Sequence, residues 1–119
     1  MAAADRGTQT KNYSGLTMGI FSFLGFGKNR IRAALQQGAV VIDVRTANEY
    51  DRGRVPGSLN IPVDRIPISI GRIRDLHKPV IICCSSGDRS SKATAILKEN
   101  GLKDVYNAGS WMTVMKMLE

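Results

Sequence analysis

Histidine and cysteine are scarce in this 119-residue chain: there is one of the former and two of the latter, and the two cysteines are neighbours. Adjacent cysteines cannot frame a disulfide scaffold, and a bond between them would be strained. Both therefore read as free thiols, which points to a reducing compartment, the cytoplasm. With the lone His77 they lack the spacing of a zinc site, so neither a metal nor another cofactor is expected. Long apolar runs are missing too. The one segment with targeting potential, LTMGIFSFLGFG over residues 16–27, falls well short of the roughly 20 residues that span a bilayer, and no small-residue cleavage site follows it. Runs of consecutive basic residues are also absent, although the formal charge is +7. A nucleic-acid footprint needs its cations clustered and interleaved with aromatics. Spread out, they make a solvated surface that attracts small anions. Neither nucleic-acid binding nor membrane contact is expected.

What is present fits one compact domain: 43% hydrophobic and 23% charged residues, with no repeats or low-complexity tracts. Residues 1–15 are polar and patternless. Together with the apolar stretch they form a lead over 1–27, flexible or a cloning remnant, whose apolar part reads equally as a degraded signal, an interfacial anchor or a strand-like flap. The domain is expected over 28–119. Within it, KNRIRAALQQG carries Ile31, Ala34 and Leu35 on one helical face and stops at Gly38. AVVIDV (39–44) and KPVIICC (78–84) are β-branched apolar runs, as expected of strands buried on both faces. Between them, Thr46 and Glu49 form a T-x-x-E capping box, Pro56-Gly57 marks a turn, LNIP a short strand, and DRIPISIGRIRDL a helix with Pro67 in its first turn. After the second strand come a helix over SSKATAILKEN, with Ala93, Ile96 and Leu97 inward, a strand and turn over DVYNAG, and a closing helix with Trp111, Val114, Met115 and Leu118 on one side. Strands alternating with helices imply an α/β fold, a central mainly parallel sheet with helices on both faces. Ligands of such sheets bind beyond the carboxyl ends of the strands.

At such an end stands CCSSGDRS, residues 83–90. Successive strand residues face opposite ways, so one cysteine belongs to the core and the other to the loop. Cys83 lies within the apolar run and reads as a packed thiol; Cys84 ends the strand and is the exposed candidate. The loop returns from Cys84 to Arg89 in a few residues, with Gly87 free to adopt positive φ. Such a turn aims several backbone N–H groups into one hollow, and a helix starting near Ser90 adds its positive end. That nest suits an anion, and a Cys84 thiolate is one, with its pKa lowered and its nucleophilicity kept at neutral pH.

Two motifs resemble the rhodanese family of sulfurtransferases: CSSGDRS (Cys84–Ser90), similar to that family's active loop, and DVRTANEYDRGRVPGSLNIP (Asp43–Pro62), similar to its upstream signature. The likeness runs from about Ala39 to Trp111. It implies a single-domain rhodanese in which Cys84 takes a sulfane sulfur from thiosulfate or a persulfide donor and passes it to cyanide, a thiol or a sulfur-acceptor protein. It implies that the main-chain N–H groups of Ser85, Ser86, Gly87, Asp88, Arg89 and Ser90 hold the persulfide. Asp43, Arg45 and Glu49 would brace the loop from beneath. Arg89 has two readings, binding a sulfonate or pairing in bidentate fashion with Glu49. The related cell-cycle phosphatases and arsenate reductases place one more residue between cysteine and arginine than the four here, Ser85 to Asp88; the smaller cradle favours sulfur over phosphate chemistry. The chain departs from the pattern at Ser85, where an arginine is usual, at Asp88, which puts an anion on the rim, at Arg54 in place of a histidine, and at Gly109-Ser110 in place of two glycines. Arg52, Arg54 and Lys92 are candidates to restore positive charge there. The alternative function is a sulfur-relay carrier loaded by a partner protein, with little thiosulfate turnover of its own.

Overall fold

The computed structural model describes residues 27–119; the expectations for residues 1–26 lie outside the described residues. Two apolar segments, β1 (Val40–Asp43) and β3 (Val80–Cys84), form the middle of a four-stranded sheet. β2 (Leu59–Asn60) and β4 (Val105–Ser110) flank them in the order β2–β1–β3–β4, and every pairing is parallel. All five residues of β3 are buried, as a strand covered on both faces must be.

Helices make up the two outer layers. The strand's period of two sorts the core: Ile42, Val80, Ile82 and Cys84 meet α3 (Ile66–Arg74) and α4 (Asp88–Glu99). Val41, Ile81 and Cys83 meet α1 (residues 27–36) and α5 (Trp111–Met117) on the opposite face. Ile31 and Ala34 of α1 are buried as their spacing requires, and Gly38 follows at φ +85, where a glycine ends a helix without strain. α2 (Ala47–Arg52) is started by the expected capping box: Thr46 Oγ1 accepts from Glu49 N–H at 3.3 Å while Glu49 Oε1 accepts from Thr46 N–H at 3.0 Å. A 3₁₀ turn over Val63–Arg65 leads into α3, whose proline sits in the first turn. Among the described residues no helix is long and apolar enough to cross a membrane.

Four expectations are corrected. α4 begins at Asp88, not near Ser90, because Gly87 at φ +109 turns the chain into the helix early. β4 runs on through the expected turn to Ser110, and a bulge shifts its register against β3 between Ile82 and Cys83. LNIP pairs with β1 only over Leu59–Asn60, since the next proline opens the 3₁₀ turn. Leu118 lies beyond the last turn of α5 and is 50% exposed instead of sharing the buried face of Val114.

Candidate active site

From β1 the chain leaves through α2 to β2 on one side, and from β3 it leaves through α4 to β4 on the other. The carboxyl ends of β1 and β3 therefore bound the crevice where the strand order reverses, the place where open parallel sheets hold their ligands. β1 ends in Asp43 and leads to Arg45; β3 ends in Cys84.

Cys84 is not the exposed residue expected of it: like Cys83 it has no solvent exposure. The loop accounts for this, since it folds back over the sulfur and leaves Ser85, Ser86 and Asp88 outside as cover. Gly87 N–H donates to Cys84 Sγ at 3.0 Å and Ser90 N–H at 3.4 Å, with Ser90 Oγ also 3.4 Å away. Gly87 is the N-cap of α4 and has no side chain to offer. The sulfur stands in for one, receiving an N–H of the first helical turn at the end where the helix dipole favours negative charge. Ser90 is itself buried and its hydroxyl donates to Gly87 O at 3.0 Å.

These contacts set the two thiols apart. Burial pushes Cys84 upward, but its hydrogen bond with the Ser90 side chain and those from the N–H groups of Ser90, Gly87 and Ser86 outweigh it, so its pKa is lowered. Burial, reinforced by the Asp43 carboxylate, pushes Cys83 up to about 12.

Glu49 and Arg89 meet in a bidentate pair, Nη1 to Oε1 at 2.7 Å and Nη2 to Oε2 at 3.1 Å. Hydrogen bonds from Arg89 and then from the Thr46 backbone hold the Glu49 carboxyl far below its usual range, and Glu49 in turn raises Arg89. Ser85 Oγ joins them, 3.4 Å from Glu49 Oε2 and 3.3 Å from Arg89 Nη2.

Asp43 and Arg45 are brought together, Asp43 opposite Cys83 at the end of β3. Arg45 Nε donates to Asp43 Oδ1 at 2.9 Å and Nη2 to Oδ2 at 2.6 Å, a buried pair that raises the arginine. The rest of the guanidinium holds α2: Nη2 donates to Gly53 O at 2.6 Å and Nη1 to Glu49 O at 3.4 Å. The brace expected for the loop thus acts on the helix that carries Glu49. Two of its members escaped sequence reasoning. Trp111 lies over the Arg45 guanidinium at 4.7 Å, and a β-carbon at Gly53 would come within 3.0 Å of its ring. Asn60 Nδ2 donates to Asp43 O and Arg45 O at 3.0 and 2.9 Å. An asparagine within a strand run was the available signal for the second; nothing local marks the first. Of the proposed rim cations, Arg54 stands 3.9 Å from Asp51 and over the Tyr50 ring. Among the described residues no cluster of three or more His, Cys, Asp or Glu could hold a metal ion.

A buried thiol held by converging N–H groups at a parallel-sheet switch point defines a class, and comparison assigns it. The profile of the Rhodanese-like domain matches residues 28–113, and the chain belongs to that family. Among its relatives, thiosulfate sulfurtransferase GlpE of Pseudomonas fluorescens (strain SBW25) is 39% identical over 77 residues, 64% of this chain and 69% of that protein. GlpE of Pseudomonas savastanoi pv. phaseolicola is 36% identical, over 64% and 71%. The chain spans about half, 54%, of the length of Bacillus subtilis YqhL, to which it is 38% identical over 58% of its own residues. Among solved structures, a rhodanese with anions from E. coli superposes with a TM-score of 0.58 at 33% identity, covering 63% of this chain and 89% of that one. The human single-domain sulfurtransferase TSTD1 gives 0.60 at 27%, covering 74% and 91%. The chain is thus a rhodanese-like sulfurtransferase domain in family and fold.

Proposed function

We propose that this domain transfers a sulfane sulfur from thiosulfate or a persulfide donor to cyanide or a thiol, through a persulfide on Cys84. The single observation that carries the reading is the convergence of the Gly87 and Ser90 N–H groups on Cys84 Sγ. Donors fixed in this way stabilise a thiolate before reaction, and they stabilise the terminal sulfur of a persulfide after it without reorganising. The thiolate attacks the outer sulfur of thiosulfate, a new S–S bond forms, and the old one breaks with its electron pair leaving on sulfite. Cyanide then attacks the terminal sulfur, thiocyanate departs, and the thiolate is restored. The cycle is ping-pong, with no net change in the enzyme.

Asp43, Arg45 and Glu49 support this chemistry from a distance, and Arg89, committed at both Nη atoms to Glu49, serves as loop support in preference to a sulfonate ligand. Two free thiols suit a reducing compartment such as the cytoplasm. No observation favours the relay-carrier alternative. Incubation with thiosulfate followed by intact-mass measurement tests the reading: sulfite release with an added sulfur atom that disappears with Cys84→Ser and persists with Cys83→Ser, and thiocyanate release on adding cyanide. Absence of an adduct from thiosulfate and from a persulfide donor alike overturns it.

A further inference from the structure

Both ends of the reactive loop converge on one carboxylate. Ser85, first after Cys84, reaches Glu49 Oε2, and Arg89, in the first turn of α4, takes Oε1 and Oε2. Between these ties lies a thiol with no solvent exposure. The carboxylate in turn is fixed by its own helix cap: Oε1 accepts from Thr46 N–H and from Thr46 Oγ1, each at 3.0 Å, while Thr46 Oγ1 accepts from Glu49 N–H at 3.3 Å. One oxygen, Glu49 Oε1, is therefore shared between the cap of α2 and the clasp of the loop.

We propose that Thr46 is a positioning residue for the reactive loop: by capping α2 it holds Glu49 in the rotamer that latches Ser85 and Arg89 over Cys84, so that uncapping the helix and uncovering the thiol are one equilibrium. This rests on Cys84 as the nucleophile, but it makes a separate claim about access. A capping hydroxyl is worth enough that its loss shifts a local opening equilibrium about fivefold.

The experiment is the alkylation rate of Cys84 in the full chain by iodoacetamide, with the adduct located by peptide mass and the rate followed against pH. Alkylation reads the loop whether or not a persulfide ever forms, so a failed latch and a failed sulfur transfer are distinguishable. Thr46→Val is expected to raise the plateau rate about fivefold with the midpoint of the pH profile unchanged, because the closed loop, with the Gly87 and Ser90 donors on the sulfur, remains the dominant state. Thr46→Ser restores the wild-type rate. Glu49→Gln keeps an N3 side chain able to cap but loses the charged clasp, and it opens the loop even if Thr46→Val does not fold. Adding Thr46→Val to Glu49→Gln gives no further increase, since both act through one side chain. Wild-type alkylation in folded Thr46→Val, a plateau unchanged in Glu49→Gln, or full additivity of the two overturns the proposal and leaves Thr46 as a helix cap only.

Discussion

Cys83 and Cys84 are consecutive residues of β3, both without solvent exposure, and their thiols are driven in opposite directions, one up to about 12 and the other below its ordinary value. Cys83 packs with Val41, Ile81 and Val114 on the α1/α5 face, with the Asp43 carboxylate nearby to oppose a second negative charge. Cys84 packs on the α3/α4 face, where the chain turns back and aims N–H groups at its sulfur. Burial costs both of them. What separates them is orientation of donors, and that follows from one step along a strand whose side chains alternate. Burial by itself therefore says little about a thiol; the question is whether the covering backbone presents donors or methyl groups.

The largest effect should come from exchanging the two positions: Cys84→Ser abolishes sulfur loading, while Cys83→Ser retains it, as mass measurement after thiosulfate treatment would read. Next is Gly87→Ala. At φ +109 a β-carbon costs about 1–2 kcal/mol, and relief of that strain turns the Gly87 N–H from the sulfur, so the alkylation midpoint of Cys84 rises toward about 8.5.

Stability against pH sharpens the contrast further. Cys83 stays protonated in the fold up to about 12, whereas the unfolded thiol ionises near about 8.5. The folded state then holds the extra proton, and stability falls as pH rises between those values. Cys84 has the opposite sign: its contribution is full above the unfolded pKa and is lost as pH falls through its lowered folded value. Denaturant melts across pH should show a shallower alkaline decline in Cys83→Ala than in the parent chain, and no such relief in Cys84→Ala. The smallest effect is that of Glu49→Gln on global stability, at most about 1 kcal/mol because the Glu49–Arg89 pair is about a third exposed; thiosulfate affinity should change less than loop stability does.

Much of this was legible before any coordinates. The apolar runs around Val40 and Val80 announced central parallel strands, the alternation of side chains separated Cys83 from Cys84, and the T-x-x-E spacing predicted the cap on α2. The pairing of Glu49 with Arg89 followed from resemblance, not from spacing, because the two stand 40 positions apart in the chain. What stayed hidden depends on how distant elements settle against one another. The burial of Cys84 depends on how tightly Ser85–Asp88 fold back. The contact of Arg45 with Trp111 depends on how α5 settles against α2, after a register shift in β4 that no local pattern records.

That shift has its own consequence. Asn107 stands opposite Ile82 but Gly109 opposite Cys83, so Ala108 is a supernumerary residue in β4. Just after that bulge, Ser110 Oγ caps α5 by accepting from Met112 N–H at 3.1 Å, and Trp111 opens the helix. A chain lacking Ala108 would keep Gly109 opposite Cys83 but lose the bend that the bulge puts into β4, and the indole would shift from the guanidinium it now shields, so an alteration on the outermost strand would reach the crevice through Trp111.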